Sequence, residues 1–206
     1  MEQVKVVEYH DLLNESLFQT SDTLIQAWHE IEVAINATDW PHGSGTFTIY
    51  PESGKKRGQG NGVKPIKLPC MSSLKAQGWD VEKLPDLGSS VLRTGDLDAL
   101  KNTSDGYIAF EWETGNISSS HRAINKLLLT MQETNTLGSF LVIPSDILKP
   151  YLTDRIGNIG ELRPYFPLWR NLPDISGAMR VIVVEHDNTS FDVPRIPKGT
   201  DGRAKQ

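Results

Sequence analysis

The stretch YIAFEWETGNISSSHRAINKLLLTMQ, residues 107–132, decides how this chain is read. Its first seven residues alternate, with Ile108, Phe110 and Trp112 pointing to one side and Tyr107, Ala109, Glu111 and Glu113 to the other, which predicts a strand with its apolar side in a core. After a Thr-Gly-Asn break, Ile124, Leu127, Leu128 and Met131 recur at helical spacing, predicting a helix over 117–132. Two carboxylates on one strand face repel each other and raise a pKa unless a cation lies beside them. Hard divalent cations such as Mg²⁺ prefer carboxylate oxygens. The plain alternative is a solvated sheet face.

Working outward, GDLDALK (95–101) returns through a turn at 103–106 into this strand and brings Asp98 beside Glu111. Asp98, Glu111 and Glu113 then form an acidic triad at one sheet edge, the arrangement that metal-assisted phosphodiester hydrolysis needs. SFLVIP (139–144) and MRVIVVEH (179–186) read as further strands and TFTIY (46–50) as another. Leu24, Trp28, Ile31 and Ile35 mark a helix capped by Ser21 or Asp22 and closed by Trp40-Pro41. Shorter helices are expected at 69–77, 145–152 and 158–166. Residues 1–20 show no clear periodicity, 52–64 read as a flexible, basic, Gly-rich loop, and the Pro/Gly-rich end from about 192 to 206 reads as an arm. Strands separated by helices predict an α/β fold in one domain spanning 1–206.

With 206 residues, 38% hydrophobic and 23% charged, the composition is that of a soluble globular protein. No apolar run approaches the ~20 residues that cross a bilayer, the start has no signal-peptide core, and the single Cys70 allows no internal disulfide. These features predict a cytoplasmic protein with no membrane partner. The net charge of −5 argues against a nucleic-acid partner unless positive charge gathers on one face. Lys55, Lys56, Arg57, Arg122, Arg155 and Lys198 are the residues that would line such a cleft.

The helix start NISSSHR offers free amides and a partial positive charge to a phosphate, while Asn, Ser and Arg side chains can read bases. Simple capping by one of the serines is the competing reading. Asp154-Arg155 reads either as an intramolecular ion pair or as a cytosine acceptor beside a guanine donor. His121 has no triad partners and reads as a surface or packing residue.

Taken together, EWETGNISSSHRAINKLLL, YLTDRIGNIGELRPYF and IPKGTDGRAK, in that order and spacing, resemble the BamHI-like type II restriction endonucleases of the PD-(D/E)xK nuclease superfamily. The resemblance runs from about Leu24 to Lys205. It implies a mixed central β-sheet flanked by helices on both faces, a homodimer clasping double-stranded DNA, and Mg²⁺-dependent cleavage at a palindrome, GGATCC, leaving 5′ overhangs. It also implies a paired DNA methyltransferase. By resemblance Asp98 and Glu111 are metal ligands, joined by the backbone carbonyl of Trp112, and Glu113 is the general base where most of the superfamily has lysine. Glu82, in GWDVEKLP, matches a further acidic member, and Lys67 neutralises the phosphate near the metal. Asn116, Ser118, Arg122, Asp154 and Arg155 match major-groove readers. Asp201 and Gly202 match a minor-groove arm, and the helices near 117–132 and 158–169 match the dimer surface. Leu97 stands where the superfamily has proline. The alternatives are a DNA-binding protein that does not cut and a nicking or structure-directed nuclease of the same fold.

Overall fold

A tight turn at Ser104 and Asp105, closed by the Thr103 hydroxyl donating to the Gly106 carbonyl at 2.6 Å, folds two central strands into an antiparallel pair. A long helix then carries the chain back, so that the next strand runs parallel to the second of them. The computed structural model describes residues 5–56, 59–83, 95–113, 115–153 and 155–198. In chain order the elements are β1 (Val6–Leu13), α1 (Leu17–Thr20), α2 (Asp22–Asn36), β2 (Thr48–Ile49), α3 (Lys64–Ala76), β3 (Asp80–Lys83), β4 (Leu97–Thr103), β5 (Gly106–Trp112), α4 (Ile117–Glu133), β6 (Thr136–Pro144), α5 (Ile159–Leu162), α6 (Phe166–Arg170), β7 (Ala178–Val184) and β8 (Asn188–Thr189).

Six of these strands form one sheet in the order β1-β7-β6-β5-β4-β3. Three neighbouring inner strands, β5, β6 and β7, are mutually parallel, and β1, β4 and β3 are antiparallel to their neighbours. Each face buries its own core. Leu24, Ile31 and Ile35 of α2 and Cys70 and Leu74 of α3 pack with Ile108, Phe110 and Trp112 on one face. Ile124, Leu127, Leu128 and Met131 of α4 and Phe166 and Trp169 of α6 pack with Ala109, Leu141 and Val181 on the other. The sheet is therefore mixed and covered by helices on both sides, as expected. Burying side chains of this size contributes roughly 1.5–3 kcal/mol each. No described helix is long and apolar enough to cross a membrane.

Several local expectations are corrected. Residues 6–13, where no period was expected, form β1. Its pattern is inverted, because Val7 and Tyr9 are about half exposed while Asp11 turns inward. Asp11 binds the buried Arg180 guanidinium through bonds of 2.6 and 2.9 Å, and that guanidinium lies 4.0 Å from the ring centroids of both Tyr9 and Phe18. The strand at 46–50 shrinks to Thr48–Ile49, paired in parallel with β8. The helix at 69–77 starts earlier, at Lys64, because Pro65 fits a first turn that needs no N–H.

The helix at 145–152 becomes a Ser145-capped turn and a 3₁₀ turn at Lys149–Tyr151, Pro150 having no donor to continue a helix. The helix at 158–166 is broken into α5, a 3₁₀ turn at Arg163–Tyr165 and α6, with Pro164 and Pro167 at the breaks. The described part of the Gly-rich loop is docked rather than free. Gly54 lies against the Leu152 carbonyl and Gly62 against that of Pro197, so close that a Cβ at either would stand 1.5 or 1.9 Å from the oxygen. The described part of the arm is packed as well. Ile196 is buried, its N–H donates to Asn61 Oδ1 at 3.1 Å, and its carbonyl accepts from Gly62 at 2.9 Å.

Candidate active site

β4 and β5 pair with Ala99 opposite Phe110 and Leu100 opposite Ala109. One step further in the same register, Asp98 comes opposite Glu111. The Trp112 N–H donates to Asp98 Oδ2 at 2.8 Å and fixes the carboxylate there. Both strands lie inside the sheet, so the acids sit at its end rather than on an edge, and α4 covers the face on which Glu111 stands. The solvated-face reading is thereby removed: Glu111 and Glu113 are both buried.

Asp98, Glu111, Trp112, Glu113, Lys67, Gly115, Ser119, Arg122, Ala123 and Lys126 line one open cavity of about 230 Å³. Lys67, from α3, donates to Asp98 Oδ1 at 2.7 Å. Lys126, from α4, stands in ion contact with Glu111 Oε1 and donates to the Asp96 carbonyl at 2.7 Å. Burial, and after it the charge of Asp98, push the Glu111 carboxyl up to about 7 against the pull of Lys126 and Lys67. The Glu113 carboxylate turns back to accept the Gly115 N–H. The three acids share the cavity, but among the described residues no three acidic, His or Cys side chains close around a common point. Asp98 and Glu111 remain as two neighbouring hard oxygen donors, a pair that could hold a divalent cation. Cys70 is buried, and burial followed by Asp98 pushes its thiol up, which keeps it from acting as a nucleophile.

Glu82 is placed elsewhere. It sits on the edge strand β3 between the pairs Val81–Ala99 and Lys83–Leu97, its backbone is left-handed at φ 51°, and its exposed side chain is not among those lining the cavity. Lys126 was missed. Its signal was the spacing of four from Arg122, which puts both on one helix face.

The rim of the cavity is the start of α4. Asn116, not a serine, caps this helix, its Oδ1 accepting the Ser119 N–H at 3.1 Å. Asn116, Ser118 and Arg122 are exposed, and Arg122 also lines the cavity. Arg155, exposed and left-handed at φ 61°, lines a second opening of about 310 Å³ with Lys55 and Lys149. The segments carrying these residues meet: Asn116 bridges Ile156. Asp154, Asp201, Gly202 and Arg57 lie outside the described residues. His121 packs its ring 4.5 Å from that of Tyr165.

The family described as "Restriction endonuclease BamHI" matches residues 4–203. The type II restriction enzyme OkrAI of Oceanobacter kriegii is 46% identical over 176 residues, which cover 85% of this chain and 88% of that enzyme. The type II restriction enzyme BamHI of Bacillus amyloliquefaciens is 37% identical over 194 residues, 91% of this chain and 87% of that enzyme. Among solved structures, restriction endonuclease BGLII complexed with a DNA 16-mer shares the fold. The TM-score is 0.60 over 87% of this chain and 78% of that chain, at 12% identity. An α/β sheet covered on both faces, an acid-lined cavity at the strand ends, and matches along nearly the whole chain lead to one assignment: the protein belongs to the BamHI family of type II restriction endonucleases, site-specific deoxyribonucleases.

Proposed function

We propose that this endonuclease cuts duplex DNA with Mg²⁺ as cofactor, as a homodimer, at GGATCC after the first G, leaving 5′ overhangs, in one domain that includes the C-terminal arm. The observation that carries the metal reading is the half-buried Asp98 standing opposite the buried Glu111, whose carboxyl is pushed up to about 7. Asp98, Glu111 and the Trp112 carbonyl would hold the cation. When bound, Mg²⁺ supplies charge neutralisation for the phosphate and acidifies water.

Glu113, in the same cavity, takes the proton of the attacking water. Attack at phosphorus in line breaks the bond to the 3′ oxygen, which takes a proton from solvent water, leaving a 5′ phosphate and a 3′ hydroxyl. Lys67 and Lys126, both lining the cavity, keep fixed positive charge beside the phosphate as charge builds on it. Glu82 is a second-rank member of the site, since it would have to turn inward to act.

Asn116, Ser118, Arg122, Asp154 and Arg155 read base edges in the major groove, with Asp201 and Gly202 in the minor groove. Each good bidentate pair contributes about 1–3 kcal/mol of discrimination. A palindrome calls for a twofold protein. The exposed Leu168 and the exposed Tyr165, which packs on His121 of α4, supply apolar surface for the second copy. A methyltransferase of the same specificity would protect the host's own sites.

Digestion of a defined plasmid with and without Mg²⁺, followed by end sequencing, tests the whole reading. Double-strand ends beginning GATC, formed only with Mg²⁺, are expected. Tight site-specific binding with no cleavage, or breaks in one strand only, would contradict it.

A further inference from the structure

The segment carrying Arg155 and the segment carrying Glu113 are joined backbone to backbone. The Gly157 N–H donates to the Gly115 carbonyl at 2.9 Å, Asn116 and Ile156 form an antiparallel bridge, and the Gly115 N–H in turn holds Glu113 Oε1. Two successive hydrogen bonds through one residue, Gly115, thus connect residue 157 to the Glu113 carboxylate. The approach is too close for a side chain. A Cβ on Gly157 would stand 1.8 Å from Ser120 Oγ and 3.1 Å from Ser120 Cβ. Ser120 is fully buried on the first turn of α4, so it has little room to move aside. Arg155 shows that the segment is held firmly: it is a non-glycine residue at φ 61°, a conformation that persists only where its surroundings impose it.

We propose that Gly157 is a specificity-determining positioning residue, tying the segment that carries Arg155 to the amide that holds Glu113, so that the reading of a base pair by Arg155 sets the placement of Glu113. The inference rests on the base-reading and water-activating roles proposed above for these two residues. Displacement of residues 155–157 moves the Gly115 carbonyl through its bond to Gly157, and the Gly115 N–H moves with the same residue. Discrimination at this base pair is therefore exerted on the chemical step as well as on binding. Replacing glycine by alanine pushes the two segments apart and uncouples them.

The test compares the wild-type enzyme, Gly157→Ala, and Gly157→Ala combined with Ser120→Gly. Single-turnover cleavage rates with Mg²⁺, and Kd values in EDTA, are measured on a GGATCC duplex and on duplexes with one base pair changed. In Gly157→Ala the ratio of cleavage rates, cognate to altered, falls at least about tenfold, while the ratio of Kd values changes less than about threefold. The double variant, with the obstructing side chain removed, regains most of the lost ratio, and it remains the informative protein if Gly157→Ala alone folds poorly. Equal losses in both ratios, no loss in either, or no recovery in the double variant overturns the inference. A wild-type enzyme without sequence-selective cleavage would instead bring down the proposed function on which the inference stands.

Discussion

Lys126 of α4 holds Glu111 of β5 in ion contact, and Lys67 of α3 holds Asp98 of β4 at 2.7 Å. The two carboxylates proposed to take a divalent cation are each matched by an ammonium group of the chain itself. This pairing lets acids on neighbouring inner strands fold without a metal, since an opposite charge offsets part of the desolvation cost.

Removing Lys126 therefore acts on Glu111. Lys126 pulls the Glu111 carboxyl down, so Lys126→Gln raises it further above about 7. Cation binding needs the ionised carboxylate. The acid limb of Mn²⁺ affinity against pH should move to higher pH in the variant, as read by calorimetric titration in the absence of DNA. An unmoved limb would detach Lys126 from Glu111.

Stability without metal carries the same signature. The folded-state pKa of Glu111 is raised from the ordinary 4.5 to about 7, so the folded chain binds the proton more tightly than the unfolded one. The contribution of this group is fully present below about pH 4.5 and is lost as pH rises through about 7, at most about 3 kcal/mol. Urea denaturation in EDTA at pH 5 and pH 8 should show this loss in the wild type. In Glu111→Gln the part due to this group should be absent.

Much of this site was legible because it lies on regular elements. The alternation at 107–113 and the helical period at 117–132 placed Glu111 and the start of α4 directly, and the short turn after β4 brought Asp98 opposite Glu111. What escaped was whatever depends on contacts distant in sequence. The inverted strand β1 is explained only by Arg180 waiting on β7, and the docked Gly-rich loop only by the carbonyls of Leu152 and Pro197. The partnership of Lys126 with Glu111 needed the angle at which α4 crosses the sheet. Glu113 also showed the limit of strand geometry: it shares a face with Glu111 by alternation, yet the chain leaves the strand at Trp112 and its carboxylate turns to Gly115.

Glu113→Lys separates the base from the ligands. If Glu113 takes the water's proton, the variant should lose at least about 100-fold in single-turnover rate while binding the cognate duplex normally by gel shift. Retained cleavage would assign the proton to another acceptor.

At the rim, Arg122→Ala should cost about 1–3 kcal/mol of discrimination, seen as a narrowed ratio of cleavage at GGATCC to cleavage at sites with one base pair changed. Lys67→Ala should leave that ratio intact and slow cleavage at every site. Exchange of the two phenotypes would invert the assigned roles.

The Arg180 cage belongs to the fold rather than to the chemistry. Arg180→Met strands the inward carboxylate of Asp11 and removes the cation from between Tyr9 and Phe18, and it should destabilise the enzyme by about 3–5 kcal/mol. The denaturant midpoint reads this directly. A midpoint unchanged from wild type would show that the cage contributes nothing.

Asp98 and Glu111 are proposed to hold the divalent cation that drives DNA hydrolysis. Crystals of the enzyme with an uncleaved GGATCC duplex, soaked in Mn²⁺ and measured at the manganese absorption edge, test it most directly. An anomalous peak within bonding distance of both carboxylates, lost in Asp98→Asn, is expected. A well-ordered complex with no peak there, or with the cation bound elsewhere, would contradict it.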